Sequence, residues 1–473
     1  MTLQSYAYLL FALVLWVAVY PVRQPSRRQL ALLVASYLFY ATWGLEFLSI
    51  LIASSLLNYA WGIFLRRRPT LGRLWGGVAL NVTLLAIFKY LPSIDYLLPI
   101  SWTGSSLMRS LVMPVGISFW TFEALSYLFD LYREEELDPS LTEFCLYMAL
   151  WPTVLSGPVC RLPDMLPQFR KNSPPDWEDV ATGIHRIIVG LFMKLVLTQL
   201  LIAGFEKTGG IDYGFDQISQ GWSGIDVWYL AIGYGFYLFF DFAGYSHIAI
   251  GSARLFGLRL SENFDRPYLS STPSIFWTRW HMSLSSWIRD YVFLSLATLR
   301  RDLWWRNLSL VLSMMIFGLW HAATATFIAW GLYHGLLLVL HRQIQSIRRR
   351  MSMAIPALLD SLMSWGFTFG AVNLGWLFFR APNLRQALTM FRAILTPRGY
   401  FHLSFRPDSY LIAFVVISGY FLFVGLESIF RQLADSGVLE RGRWLLSPVF
   451  YAVAAVCILI WSGNETTFVY FRF

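Results

Sequence analysis

The sequence predicts an all-α polytopic membrane protein, on three observations. Of its 473 residues, 56% are hydrophobic and only 14% charged, where soluble domains carry about 25% charge. Apolar runs long enough to span a bilayer recur from end to end. Arginines gather in the short loops between those runs, the pattern that sets membrane orientation. The net charge of +9 therefore has a source other than nucleic-acid binding. No basic patch interleaved with aromatics is present, and no nucleic-acid partner is expected.

The first run, Ser5–Tyr20, lacks a basic leader and a small-residue cleavage site, so it reads as a retained span. Arg23, Arg27 and Arg28 follow it. The positive-inside rule puts them in the cytoplasm and the N-terminus outside. Gln29–Leu65 holds one charge, Glu46, and a turn signal at Trp43-Gly44; it reads as two spans returning to Arg66, Arg67 and Arg68. Gly76–Leu91 goes out. Leu111–Tyr132 returns to a charged loop at Arg133–Glu136, and Lys207–Asp226 forms an external loop. The same count leaves Arg385, Arg392, Arg398 and Arg406 outside, against the rule. One domain is expected over residues 1–473: N-terminal spans to 110, a motif-rich core over 111–345 and C-terminal spans from 346. Cys145, Cys160 and Cys457 form no CxxC pair or metal-ligand spacing and read as unpaired small hydrophobes; no metal is expected.

One histidine stands out. Asn307–Leu340 contains no Asp, Glu, Lys or Arg, yet it carries His321 and His334. An ionisable group at membrane depth is costly and usually faces a partner or a wet cavity. Arg300, Arg301 and Arg306 precede the run, and Arg342 and Arg348–Arg350 follow it, so both ends face the cytoplasm. As one helix its 34 residues would rise about 51 Å, against a hydrocarbon core of about 30 Å. The run must break, at Gly318 or within Ala322–Thr326. His321 then lies near the vertex of a hairpin dipping into the membrane. The alternative is a neutral histidine tying helices together. His334 lies too far round a helix to share His321's face and reads as structural.

The richest region is Phe239–Leu294. From Phe276 it reads as one helix lying along the interface or re-entering from it. Trp277, Trp280, Leu284, Trp287, Ile288 and Tyr291 form a stripe at helical spacing, an interface belt or a packing face. His281 reads either as a second functional imidazole or as an interfacial side chain with its tip in water. Arg289 and Asp290 are adjacent and are expected to pair elsewhere rather than with each other. Asp241, inside FFDFAGY, reads as a helix-linking acceptor. A serine elbow, a P-loop, a dinucleotide fingerprint and an H-E-x-x-H pair are all lacking, which disfavours serine-triad chemistry, nucleotide hydrolysis and metalloproteolysis.

Seven motifs in order carry a family resemblance: Pro114–Arg133, Trp151–Arg161, Phe239–Gly257, Glu262–Tyr268, Trp277–Tyr291, Gly318–Gly335 and Asn373–Ala381. The blocks WTRWHMSLSSWIRDY and GLWH are the most specific. On these the chain resembles the membrane-bound O-acyltransferase (MBOAT) superfamily, in the bacterial branch of the alginate O-acetylation membrane subunit. The resemblance implies a ring of about 11 or more transmembrane helices, with re-entrant or interfacial helices, around a thin central region. A cytoplasmic funnel leads to the key histidine. It also implies a bacterial inner-membrane enzyme that bind no cofactor permanently. An acyl group, acetyl above all, passes from a coenzyme A or carrier-protein thioester across the membrane. The acceptor is a hydroxyl on an extracytoplasmic partner or cell-surface polysaccharide.

The resemblance implies the site residues too. His321 would be the general base on the acceptor hydroxyl, or carry the acyl group briefly. His281 would orient a substrate or share proton transfer. Trp320 would wall the funnel, or only pack. Arg289 would meet donor phosphates or a carrier protein, or serve a structural ion pair. Trp280, Ser283, Trp287, Asp290 and Asn263 complete the candidate funnel. Two departures bear on acyl size or acceptor: His247 stands where an acidic residue is expected, and Ala322 where Gly is common. Competing readings are a transporter or flippase, which predicts internal repeats that the sequence does not show, and a non-catalytic scaffold of an exopolysaccharide export complex.

Overall fold

In the computed structural model the described residues are 1–91, 112–133, 136–171, 174–206, 210–216, 221–351, 356–397, 400, 402–435 and 440–461. Every regular element among them is helical, and the only β pairing is an isolated bridge between Phe264 and Trp280. In chain order the helices are α1 (Tyr6–Val19), α2 (Pro25–Ala41), α3 (Leu45–Arg67), α4 (Leu71–Lys89), α5 (Ile117–Tyr132), α6 (Leu141–Ala149) and α7 (Leu162–Phe169). Then come α8 (Trp177–Ile202, through a π-helical turn at Phe192–Leu197), α9 (Gly210–Asp216) and α10 (Gly224–Arg254). They are followed by α11 (Pro273–Arg279), α12 (Met282–Trp287), α13 (Leu294–Ala297), α14 (Leu303–His321) and α15 (Ala325–Met351). The chain closes with α16 (Ala357–Arg380), α17 (Leu384–Ile394), α18 (Pro407–Asp435) and α19 (Glu440–Trp461).

Seven of the described helices are long and apolar enough to cross a membrane: α3, α4, α8, α10, α14, α16 and the Pro407–Ile429 part of α18. Their outer faces carry exposed leucine, valine and phenylalanine, such as Leu56 and Leu57 on α3 and Leu411, Phe414 and Val415 on α18. Exposed apolar surface on that scale needs lipid to cover it. This is a multi-pass membrane protein.

Two helices stand apart because they are buried all round. α10 runs through the centre, with 83% of its apolar window inside the protein. Its 31 residues rise about 46 Å, more than the hydrocarbon thickness, so it must tilt. α5 is buried over most of its length; it starts at Ile117, later than the expected span, and Leu111 lies outside the described residues. Asp241 on α10 pairs with Lys194 from the π-helical turn of α8, both side chains 1% exposed, which meets the expectation of a helix-linking group.

The run around His321 breaks as its length requires, but at one place only. α14 ends on His321, and the chain turns through residues 322–324 into α15. Gly318 is no break. It lies inside α14, where a Cβ would stand 2.2 Å from the Phe327 carbonyl oxygen; on α15, a Cβ at Gly331 would stand 2.3 Å from the Met314 carbonyl oxygen. Two bare glycines let the arms pack backbone to backbone. The 19 residues of α14 rise about 28 Å, close to the full core thickness of about 30 Å. His321 therefore stands at the vertex of the hairpin, as expected, at the end of a helix long enough to cross.

Three other expectations change. The external loop Lys207–Asp226 contains α9 and the start of α10; its residues 207–209 and 217–220 lie outside the described ones, as does Arg398. The misfit arginines Arg385 and Arg392 sit exposed on α17, a short amphipathic helix that buries Ala387 and Met390; it is no span, so a simple count of crossings fails there. The helix expected from Phe276 is broken at Trp280-His281 into α11 and α12.

The hairpin contact gives a direct test. Gly318→Ala should force the arms apart and cost about 1–3 kcal/mol, read as a lower melting temperature of the detergent-solubilised protein. Ala329→Gly, a part-buried position further along α15, should cost no more than about 1 kcal/mol.

Candidate active site

The site is built where α11, α12 and the α14–α15 turn meet. His281 takes φ +44°, a left-handed conformation that is uncommon outside glycine and costs energy. That reversal ends α11 and starts α12, and it turns the imidazole inward, where it is fully buried. The interfacial reading of His281 is therefore wrong: its tip is held by protein. His281 Nδ1 lies 3.2 Å from Asn263 Oδ1, and the ring stands edge-on to Phe242 at 4.6 Å.

Asn263 is the hub. Its amide nitrogen donates to Ser246 Oγ at 3.0 Å, and its Oδ1 accepts from the Ser283 hydroxyl at 2.6 Å as well as facing His281. The Met282 amide donates to the Asn263 carbonyl at 2.9 Å. Ser283 also accepts from the Val159 amide at 2.9 Å, which ties the hub to the Trp151–Arg161 motif. Asn263, Ser246 and Ser283 are all buried.

His321 is 3% exposed and sits among aromatic rings. Phe317 stacks on it at 5.3 Å, Trp320 lies at 4.7 Å, Phe379 at 5.0 Å and Trp330 at 5.4 Å. Lys89 and His281 are near enough to act on it electrostatically. His334 is fully buried beside Trp277, Trp330 and Trp376, away from both cavities described next.

Two cavities approach this centre. The larger, about 490 Å³, is lined by Arg289, Ser283, Glu262, Trp277, Phe317 and Arg342 among others. The smaller, about 130 Å³, is lined by His321, Trp320, Lys89 and the start of α5. Phe317 belongs to the larger cavity and lies one helical turn before His321. The two linings share no residue, and Phe317 of the larger cavity stacks on His321 of the smaller.

The candidate residues divide accordingly. Arg289 and Ser283 line the larger cavity, and Trp320 lines the smaller. Trp280, Trp287, Asp290 and Asn263 stand behind the walls. Trp280 packs on Trp376 at 4.8 Å, and Trp287 donates from Nε1 to the Phe122 carbonyl at 3.0 Å. Together with Trp277, Leu284, Ile288 and Tyr291 they form a buried packing stripe, not an interface belt. Arg289 and Asp290 do pair with each other, Nε to Oδ1 at 2.6 Å, and Arg161 adds a 2.8 Å contact to Asp290. The expectation that they would not pair assumed an ordinary helix. Residues 288–293 form a π-helical turn, whose wider i→i+5 winding brings successive side chains closer in angle. Burial alone would raise the Asp290 carboxyl; the bonds from Arg289 and Arg161 outweigh it and hold it below the usual aspartate range. At position 247, the departing histidine faces Arg186, which makes a two-point ion pair to Glu262.

Comparison with known proteins now decides the family. Residues 102–379 match the MBOAT, membrane-bound O-acyltransferase family. The chain belongs to that family. The MBOAT match covers the site from α5 to Phe379; Lys89 on α4 lies before it. The chain is similar to the probable alginate O-acetylase AlgI of Pseudomonas aeruginosa, at 33% identity over 84% of this chain and 75% of that protein. It is also similar to the peptidoglycan O-acetyltransferase of Helicobacter pylori, at 31% over 82% and 78%. A third relative, the teichoic acid D-alanyltransferase of Streptococcus thermophilus, is 34% identical over 49% of this chain and 58% of its own. This MBOAT chain is a membrane O-acyltransferase.

Two residues of the site escaped the sequence reading. Phe317 gives no signal beyond being apolar. Lys89 did give one: it is the single charge between Leu74 and Leu91, the same kind of anomaly that singles out His321. Asn263 offers the test for the hub. Asn263→Ala leaves His281, Ser246 and Ser283 short of a buried partner, and should lower stability by about 1–3 kcal/mol in a melting assay, with loss of acyl transfer.

Proposed function

We propose that the protein passes an acyl group, acetyl by preference, from a thioester donor in the larger cavity to a hydroxyl acceptor in the smaller one. The observation that supports this is the stacking of Phe317, which lines the larger cavity, on His321, which lines the smaller. α4 and α14 both leave arginine-rich ends, at Arg66–Arg68 and Arg300–Arg306, and finish beside the smaller cavity. By the positive-inside rule the larger cavity then faces the cytoplasm and the smaller one the opposite side. The same rule puts the N-terminus outside, and a bacterial inner membrane is the setting that fits.

The chemistry follows from the groups present. The His321 imidazole takes the proton of the acceptor hydroxyl as that oxygen attacks the thioester carbonyl carbon. The new C–O bond forms, the C–S bond breaks, and the thiolate leaves and is protonated. Brief acylation of the imidazole itself is the alternative route to the same products. His281, fixed by Asn263, orients the reacting groups. The aromatic rings around His321 keep water out, which protects the thioester from hydrolysis. Arg289 and Arg342, on the larger cavity, suit the phosphates of a coenzyme A or carrier-protein pantetheine arm. The surrounding ring of about 11 or more helices would hold the thin central region in a membrane of ordinary thickness.

The relatives point to the acceptor. They are named for alginate, peptidoglycan and teichoic acid, all of them extracytoplasmic polymers. A cell-surface polysaccharide, or a partner protein that relays the group to one, is the acceptor class proposed. The transporter and scaffold readings predict that His321 is dispensable for acylation. Purified protein with radiolabelled acetyl-coenzyme A separates them. His321→Ala should lower label transfer at least about 100-fold, while leaving the melting temperature close to wild type; unchanged transfer would refute the assignment.

A further inference from the structure

The smaller cavity holds a cation with little to hold it. Lys89 is the last residue of α4. Its position is fixed by its neighbour: the Tyr90 hydroxyl donates to the Leu319 carbonyl at 3.0 Å, two residues before His321. From there the Lys89 ammonium reaches into the cavity. Its hydrogen-bond contact among the described residues is to Ser118 Oγ, at 3.5 Å the outer limit for such a bond. It also lies 5.2 Å from the Trp320 ring centroid. An ammonium has three donors, so most of its capacity is unspent. No aspartate or glutamate lines the cavity among the described residues, and none of the ion pairs described involves Lys89.

A second feature adds positive potential. Gly116, Ile117, Ser118 and Phe119 line the same cavity, and they are the N-cap and first turn of the 16-residue α5. That end has no side-chain cap and no acidic residue in its first turn. The Ile117 and Phe119 amides already donate to the Pro114 and Gly116 carbonyls, so what this end adds is the positive pole of the helix dipole, which favours an anion there. Lys89 and the α5 terminus thus converge on a space whose remaining wall is Trp320 and His321.

We propose that this cavity is an anion site, and that Lys89 holds an anionic group of the acceptor while the neighbouring hydroxyl faces His321. The inference rests on the acyltransferase reading and deepens it. It assigns the acceptor's chemical class: a hydroxyl compound with a carboxylate or phosphate close to the reacting oxygen. A half-buried, under-bonded ammonium is costly until an anion arrives, so the site favours charged acceptors over neutral ones of the same shape. The cavity of about 130 Å³ admits the reacting end of such a molecule rather than a whole polymer. The anion is placed on the side of the wall opposite the donor, where it contributes selectivity for the acceptor.

Wild type, Lys89→Met and Lys89→Arg test this with defined probes. A uronic-acid trisaccharide is compared with its carboxyl-reduced form, and a glycerol phosphate oligomer with glycerol. Wild type should prefer one anionic probe over its neutral counterpart by about tenfold or more in both equilibrium binding and kcat/KM. The probe that shows the preference distinguishes carboxylate from phosphate. Lys89→Met should abolish the preference mainly through KM, and Lys89→Arg should keep most of it, which separates loss of charge from misfolding. Equal preference in wild type and Lys89→Met overturns the proposal. So does binding of neither anion by wild type, or a fall in kcat that is the same for charged and neutral acceptors. Anion binding that depends on Lys89 without any acyl transfer would instead refute the acyltransferase reading and leave the anion site standing.

Discussion

The close packing of α14 on α15 is the constraint on which the rest of the site depends. Side chains at 318 and 331 would drive backbone into backbone, so only glycine lets these arms touch over their far halves. That contact holds the 322–324 turn at the end of a helix long enough to cross and keeps His321 at the last position of α14. A looser hairpin would carry the imidazole away from Phe327 and Trp330 on α15. Interiors this dense do not deform smoothly.

The second imidazole is held by different means. His281 owes its place to a strained backbone and to one buried amide. The left-handed turn ends α11 and reverses the chain, and Asn263 gathers His281, Ser283 and Ser246 around itself. Strain of this kind persists where the surroundings over-determine it and tends to mark functional positions. A second left-handed residue, Arg266, lies three positions after Asn263 and pairs with Glu427 on α18. The segment from 266 to 281 thus has left-handed backbone at both ends, which suits a site that must hold its geometry inside an apolar medium.

Charge is distributed unevenly across the wall. The larger cavity has Arg289 and Arg342 at its edge with Glu262, a mixed and partly compensated set. The smaller one has Lys89 and the N-terminal end of α5, with no acid beside them among the described residues. The imidazole between them is enclosed by Phe317, Trp320, Trp330 and Phe379.

Much of this was legible in the residues. The membrane class followed from composition, because no soluble chain buries so many apolar residues with so little charge. The break after His321 followed from the length of the run together with the arginines at both of its ends, which put the two ends on the same side. His321 itself followed from the cost of an ionisable group among apolar ones, and motif order gave the family. What the sequence could not decide were features set by contacts distant in the chain or by backbone that leaves no periodic trace. The aromatic stripe kept its helical spacing across Trp280-His281, so periodicity gave no sign that the helix reverses there. The π-helical turn that joins Arg289 to Asp290 is likewise invisible to a 3.6-residue pattern. The meeting of Lys89 with His321, more than two hundred positions apart, exists only because α4 and α14 end at the same depth. Local energetics write themselves into sequence; which ends of which helices share a cavity is decided by packing alone.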